Sequence, residues 1–109
     1  MIDNSNLVIN SGNQDAAELA EKIAKGYAWG KHVVKKGEFY GIVSDEREFK
    51  ELIERIIKNP SETKQLANGR QGYWDDKTET LVITSPKDKD GGACFRPDNG
   101  KDYYDNSLE

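Results

Sequence analysis

The sequence predicts an α+β fold, in which N-terminal helices pack on a small twisted antiparallel sheet of about four strands. Apolar residues recur at helical spacing before Asn59. From Asn68 onward, short runs rich in β-branched and aromatic residues alternate with turn-forming residues. Helices followed by consecutive strands are typical of α+β domains rather than of alternating βαβ units.

The chain of 109 residues has the length of one domain. Asn, Ser, Gly and Gln dominate residues 1–14, which we expect to be a flexible N-terminal tail or linker. Residues 15–107 are expected to form a single domain. No apolar run approaches the roughly 18 residues of a membrane span, so we expect no membrane insertion.

The first predicted helix begins with Asp15 as its N-cap. Its apolar stripe consists of Ala16, Leu19, Ala20, Ile23 and Tyr27. Gly26 and Gly30 predict a break between residues 26 and 30, because glycine weakens a helix interior. A second helical piece is expected to end at Gly37.

The next helix is predicted to begin after Ser44 as its N-cap and to end at Asn59-Pro60. It carries a stripe at positions i, i+3, i+4, i+7 and i+8, formed by Phe49, Leu52, Ile53, Ile56 and Ile57. A short helical turn, capped by Ser61, is expected over residues 61–66.

Four strands are predicted after this turn. The strongest is Thr80–Thr84, because it is rich in β-branched residues. The others are Arg70–Trp74, Ala93–Arg96 and, at the edge, Lys101–Tyr104. Turn-forming residues at 75–78 and 87–92 separate the first three.

Composition limits the functional classes. The formal net charge of −4 argues against a general nucleic-acid binder, although it leaves room for a local basic cleft. The single cysteine, Cys94, excludes an internal disulfide and a cysteine-rich zinc site. We interpret it as a small buried apolar residue rather than a nucleophile. No spacing typical of a metal site is found, so we expect no cofactor.

The single histidine, His32, is the candidate acid–base group. Its ordinary pKa of about 6.5 allows proton transfer near neutral pH. Glu38 follows six positions later and Lys31 precedes it. A lone histidine is also commonly a surface or core residue without a catalytic role, so both interpretations are open.

Arg70 and Arg96 are the arginines outside the long helix, and both lie in or beside predicted strands. The guanidinium group presents a planar fork of donors that fits phosphate. Near His32 they would suit phosphodiester cleavage, whereas on separate faces they would be ordinary surface ion pairs. The catalytic interpretation therefore expects His32, Arg70 and Arg96 to converge in one cleft, and side chains on separate faces would remove most of its support.

A set of short motifs resembles a known family. The pieces are Lys31-His32-Val33, Gly37-Glu38-Phe39, Asn59-Pro60-Ser61, Asn68-Gly69-Arg70, Tyr73-Trp74-Asp75, Val82-Ile83-Thr84 with Pro86, Asp90-Gly91-Gly92, Phe95-Arg96-Pro97 and the run from Asn99 to Asp105. In this order, the stretch Ala28–Tyr104 resembles C-terminal toxin domains of contact-dependent growth-inhibition and polymorphic toxins. These are similar to tRNA-cleaving ribonucleases of the barnase–EndoU–colicin–RelE superfamily, which have helices on a twisted sheet with the active site on its open face.

The resemblance implies a metal-independent endoribonuclease that leaves a 2′,3′-cyclic phosphate and a free 5′-hydroxyl. His32 would be the general base or acid, with Glu38 as its partner. Phosphate would be held by Lys31, Arg70 and Arg96, and Thr84 would donate to a non-bridging oxygen. Tyr73 or Tyr104 would stack on a base or donate from its hydroxyl.

The resemblance also implies partners and a location. The partners would be tRNA or other single-stranded RNA and a cognate immunity protein, with the domain itself a monomer. It would be secreted or delivered as the C-terminus of a larger effector and act in the cytoplasm of the target cell. A non-catalytic protein-binding module with a toxin-like fold is the alternative, and a nuclease that cleaves DNA or requires a metal is a third possibility.

Overall fold

The computed structural model describes residues 16–26 and 28–109. The predicted tail over residues 1–14, the predicted N-cap Asp15 and the stripe residue Tyr27 lie outside the described residues. Helices on the N-terminal side pack against a four-stranded antiparallel sheet, which confirms the predicted α+β class.

The N-terminal helical region is interrupted where the glycines predict it. Helix α1 covers residues 16–25, and a π-helix follows at Trp29–Lys35. In this π-helix the backbone N–H of Lys36 donates to the carbonyl of Lys31, five residues earlier. Gly37 has φ +65°, a conformation that glycine adopts without steric cost, and it ends the helix as predicted.

Helix α2 spans Glu46–Lys58 and ends before Pro60, as its apolar stripe predicts. Its N-cap is Asp45 rather than Ser44, and the carboxylate of Asp45 accepts the backbone N–H of Glu48. Both residue types cap helices well, which explains the difference of one residue. The stripe buries Phe49, Ile53 and Ile56 fully.

The sheet has the order β1-β2-β3-β4, with β1 at Glu62–Gln65, β2 at Gln71–Asp75, β3 at Thr80–Thr84 and β4 at Gly92–Phe95. Strands β2, β3 and β4 were predicted, and their ends differ from the predicted ones by at most one residue. The predicted helical turn over 61–66 is wrong, because residues 62–65 form β1 instead. One helical turn is marginal in isolation, whereas pairing with β2 gives this backbone a ladder of hydrogen bonds.

The predicted edge strand Lys101–Tyr104 is also wrong, since residues 101–107 are helical. Two contacts at i, i+4 spacing stabilise this segment: an ion pair between Lys101 and Asp105, and a hydrogen bond from Asn106 to Asp102. The helical path also places Tyr104 and Leu108 together against the sheet. Burial of these two side chains outweighs the preference of tyrosine for strands.

Each face of the sheet carries its own core. Val82 and Cys94 face α1 and α2 in the larger core, whose helix residues include Ala20, Ile23, Phe49, Ile53 and Ile56. Trp74, Leu81 and Ile83 form the second core with Leu66 and Tyr104. The resemblance implies an open sheet face, but here the C-terminal helical segment packs on the face opposite α1 and α2. The accessible region near His32 lies instead at the β4 edge.

Candidate active site

The side chain of His32 is hydrogen-bonded to a carboxylate. Its Nδ1 lies 2.6 Å from Oε2 of Glu38, and the two side chains are 11% and 16% exposed. A carboxylate only accepts hydrogen bonds, so Nδ1 carries the proton and Nε2 carries the lone pair of the neutral ring. The described part of the chain supplies no hydrogen-bond partner for Nε2. The imidazole is therefore held in a tautomer that can accept a proton from a ligand.

The local backbone explains how two residues six positions apart meet. His32 lies in the π-helix, and Gly37 reverses the chain directly after it. The backbone N–H of Glu38 donates to the carbonyl of His32 over 2.9 Å, which closes the reversal. A residue with a Cβ rarely adopts the φ of Gly37, so this glycine is required for Glu38 to return to His32.

Both carboxylate oxygens of Glu38 are engaged. Oε2 contacts His32, and Oε1 accepts the backbone N–H of Arg96 over 2.8 Å. A carboxylate fixed at both oxygens orients its partner well but is not available as a separate base. Glu38 is therefore a positioning residue for the imidazole.

The side chain of Arg96 connects three segments. Its Nε donates to the carbonyl of Thr78 over 2.7 Å, and its Nη1 donates to the carbonyl of Glu38 over 3.1 Å. Nη2 lies 3.9 Å from a carboxylate oxygen of Glu79. These hydrogen bonds hold the β2–β3 hairpin against Glu38. The remaining N–H groups of the guanidinium can donate to a ligand.

An open cleft of about 410 Å³ lies beside the pair. The ring of Phe95 stacks on the imidazole of His32, with 5.4 Å between the centroids. Tyr103 contacts Phe95 edge-to-face at 5.7 Å. The cleft is lined by Lys31, His32, Lys36, Glu38, Ala93, Phe95, Arg96, Pro97, Asp98 and Tyr103. Two ammonium groups, a guanidinium and aromatic rings around one imidazole suit an anionic ligand that carries a planar ring.

Four of the predicted site residues come together in this cleft, namely His32, Glu38, Lys31 and Arg96. Arg70 does not join them, so the expected convergence of His32, Arg70 and Arg96 is met by His32 and Arg96 alone. Arg70 precedes β2, and the register places Gln71 opposite Thr84, at the other end of the sheet from Arg96. Arg70 and Arg96 are separated by two inter-strand spacings across the sheet and by about five residues along the strands. The distance between them is therefore roughly 20 Å. The Nε of Arg70 donates to the carbonyl of Ala67.

Three other predicted site residues also lie away from the cleft. Thr84 is buried and shares a sheet face with Val82, whereas Ala93 and Phe95 point to the opposite face. Tyr73 packs against the core under the helices. Tyr104 is 2% exposed, and its hydroxyl has no hydrogen-bond partner among the described residues. Burial raises the pKa of Tyr104.

Six residues that line the cleft were not predicted as site residues: Lys36, Ala93, Phe95, Pro97, Asp98 and Tyr103. Tyr103 and Tyr104 are adjacent, and the choice between them depended on the conformation of residues 101–104. A strand and a helix direct neighbouring side chains differently, so the wrong strand prediction hid the role of Tyr103. The presence of two tyrosines in succession was the available signal.

Cys94 belongs to the larger core and not to the cleft. Burial raises the pKa of its thiol well above the usual value, and the nearby Glu38 carboxylate raises it further. The thiolate required for nucleophilic attack is therefore disfavoured. This placement agrees with the interpretation of Cys94 as a packing residue.

Comparison of the chain with protein-family models, with curated proteins and with solved structures finds no match. Across residues 16–26 and 28–109, no helix is long and apolar enough to cross a membrane.

Proposed function

We propose that this chain is a metal-independent endoribonuclease domain of the bacterial toxin type, which cleaves tRNA through attack by a ribose 2′-hydroxyl. The observation that carries the proposal is the His32–Glu38 hydrogen bond at the cleft lined by Lys31, Lys36 and Arg96. An oriented imidazole beside several cations is what transesterification of a phosphodiester requires.

In the proposed reaction, Nε2 of His32 accepts the proton of the 2′-hydroxyl. The 2′-oxygen then bonds to the adjacent phosphorus, and the bond from phosphorus to the 5′-oxygen breaks. Glu38 stabilises the imidazolium that forms, because its negatively charged carboxylate accepts a hydrogen bond from the Nδ1–H group. The products are a 2′,3′-cyclic phosphate and a 5′-hydroxyl.

Two further requirements are a proton for the leaving 5′-oxygen and stabilisation of the charge on the phosphoryl oxygens. Lys31, Lys36 and Tyr103 line the cleft and carry N–H or O–H groups that can donate this proton. The lysines and the remaining N–H groups of Arg96 can also hold the phosphoryl oxygens. Phe95 and Tyr103 offer aromatic surface to an unstacked base.

The choice of tRNA, the cognate immunity protein and delivery as the C-terminus of a larger effector come from the resemblance of the motifs described above. In this proposal the domain acts in the cytoplasm of the target cell, and the producing cells are protected by their own immunity protein. Toxicity and immunity are tested by expressing the domain inside bacteria with and without the genes encoded beside it.

The test of the catalytic proposal is incubation of the purified domain with total tRNA in EDTA. New 5′ ends should accept phosphate from polynucleotide kinase without prior phosphatase treatment, because cleavage leaves a 5′-hydroxyl. His32→Ala should lower the rate by about 10²- to 10⁴-fold, the range of general acid–base catalysis. Lys58→Gln, on the outer part of α2, serves as a matched surface control.

Since His32 is buried, His32→Gln provides a second variant that retains volume and hydrogen-bonding capacity. Circular dichroism and thermal unfolding establish that each variant is folded. Absence of cleavage by the folded wild-type domain, or equal cleavage by both folded His32 variants, would overturn the proposed mechanism.

The second candidate is a non-catalytic protein-binding module. It is favoured by the engagement of Arg96 and of both Glu38 oxygens in internal hydrogen bonds, which would equally suit a structural clamp. It predicts no loss of RNA and no growth defect on expression. Substitution of His32 would then change the unfolding temperature alone.

A further inference from the structure

A second depression adjoins the cleft and shares two of its lysines. It is lined by Gly26, Gly30, Lys31, Lys35 and Lys36, and its volume is also about 410 Å³. Lys31 and Lys36 line both depressions, so the two lie side by side along the π-helix. We define the second depression, at Lys31, Lys35 and Lys36, as the lysine groove.

The π-helix explains why three lysines share this groove. In an α-helix, Lys31 and Lys35 would be neighbours, while Lys36 would lie further around the axis. The N–H of Lys36 bonds to the carbonyl of Lys31, so the wider turn also brings residues i and i+5 together. One side of the helix therefore presents three ammonium groups next to the buried His32.

The groove has room for a ligand backbone. A Cβ added at Gly30 would meet nothing within 4 Å, so this part of the wall is open. Acidic groups lie nearby: a Cβ added at Gly26 would stand 3.0 Å from the side chain of Asp90, and Asp98 lines the adjacent cleft. Against a net charge of −4, three lysines on one groove form a local concentration of positive charge.

We propose that the lysine groove continues the binding of the RNA strand beyond the phosphate that is cleaved: Lys31 and Lys36 border both depressions and serve both, whereas Lys35, which lines only the second, contacts the neighbouring phosphates. The inference rests on the proposed function, and it adds that the substrate is an oligonucleotide recognised over several phosphates. Lysine contacts to phosphate carry no sequence information, so this binding is independent of the bases. A dinucleoside monophosphate carries a single phosphate, the one that is cleaved, so it supplies no neighbouring phosphate for Lys35.

The salt dependence of binding gives a measurable consequence. Each phosphate neutralised on a single strand contributes about −0.7 to the slope of log affinity against log salt concentration. Three lysines give an expected slope of about −2. Lys35→Gln should make the slope less negative by about 0.7, with a uniform loss of affinity across sequences.

The experiment uses a fluorescent 2′-O-methyl RNA 12-mer, which cannot be cleaved, and measures its Kd by anisotropy at several salt concentrations. Lys35→Gln should weaken binding roughly threefold to tenfold and reduce the slope as stated. Lys58→Gln removes the same charge from outside the groove and should change neither. In parallel, kcat/KM is measured for a cleavable 12-mer and for a dinucleoside monophosphate.

Lys35→Gln should lower kcat/KM for the 12-mer through KM and leave the dinucleoside unaffected. Equal effects of Lys35→Gln and Lys58→Gln on the Kd of the 12-mer would overturn the inference, as would a slope near zero for the wild-type chain. If the chain binds the 12-mer with the expected dependence on Lys35 but cleaves neither substrate, RNA binding by the lysine groove is confirmed and the proposed ribonuclease activity is refuted.

Discussion

The backbone N–H of Arg96 donates to Oε1 of Glu38 over 2.8 Å, although 58 residues separate the two in the chain. The same carboxylate holds His32 through its other oxygen. The side chain of Glu38 therefore connects the end of β4 to the imidazole. A displacement of the Arg96 backbone would move Glu38 and, with it, His32.

Glu38→Gln should lower kcat for RNA cleavage by about tenfold or more and leave KM nearly unchanged. Glutamine has one acceptor oxygen, so its NH₂ group must face either the N–H of His32 or that of Arg96. An unsatisfied buried donor costs about 1–3 kcal/mol, which chemical denaturation will detect. Glu51→Gln, on the exposed side of α2, is the matched control. Wild-type kcat in Glu38→Gln would show that Glu38 does not position the imidazole.

The two arginines outside α2 should differ in their effect on cleavage. Arg96→Gln removes donors to the carbonyls of Thr78 and Glu38, so both stability and kcat should fall. Arg70→Gln should leave the rate of tRNA cleavage within about twofold, because Arg70 lies at the opposite end of the sheet. The rates are compared at equal concentrations of folded protein. A large loss of activity in Arg70→Gln would place Arg70 in contact with RNA.

The sequence was sufficient to predict α2 and the strands β2, β3 and β4, whereas the partnership of His32 with Glu38 and a phosphate-binding role for Arg96 came from the resemblance. The apolar stripe of α2 and the β-branched run of β3 are local signals that match the burial found in the fold. The spacing of six positions brought Glu38 to attention, and the reversal at Gly37 is what lets it reach His32. These features depend little on the rest of the chain.

The remaining features depend on contacts between distant segments. Residues 62–65 become a strand because β2 is available for pairing, and residues 101–107 become helical because Tyr104 covers Trp74. Neither partner can be recognised from the local pattern. The choice of Arg70 and Thr84 required the register of the sheet, which places Thr84 on the face opposite Phe95 and Arg70 at the end opposite Arg96.

Tyr103 and Tyr104 should respond oppositely to substitution. Tyr103→Ala removes aromatic surface from the cleft and should lower kcat/KM for RNA, since stacking is worth roughly 1–3 kcal/mol per base. Tyr104→Ala should instead destabilise the fold by about 3–5 kcal/mol, the cost of a cavity in a buried aromatic site. Thermal unfolding and steady-state kinetics separate the two effects. Similar losses of stability in both variants would contradict the assignment.

Tyr104→Phe offers a sharper comparison. The hydroxyl of Tyr104 is buried without a partner among the described residues, so its removal should leave stability unchanged or raise it by about 1 kcal/mol. Urea denaturation measures this difference. A clear loss of stability on removal of the hydroxyl would mean that it has a hydrogen-bond partner in solution.

Asp75 makes the stability of the fold dependent on acid pH. Burial alone raises the pKa of this carboxyl, but hydrogen bonds from Arg55 and Thr78 outweigh it, and the pKa lies below its usual value. Both guanidinium nitrogens of Arg55 donate to the carboxylate, and Thr78 donates its backbone N–H and its hydroxyl. The ionised form is thus bound more strongly in the folded state than in the unfolded chain.

The pKa of Asp75 is lower in the folded protein than in the unfolded chain, where it is about 3.9. The ionised carboxylate therefore stabilises the fold fully above about pH 3.9, and this stabilisation is lost as the pH falls through the folded pKa. Asp75→Asn should lower the free energy of unfolding by about 1–3 kcal/mol at pH 7, because Arg55 is 44% exposed and water compensates part of the loss. The difference between wild type and variant should shrink as the pH falls below about 4. Urea denaturation from pH 7 to pH 2.5 measures this difference, with Asp88→Asn in the exposed β3–β4 loop as the control. A difference that stays constant to pH 2.5 would show that the Asp75 carboxylate does not stabilise the fold in its ionised form.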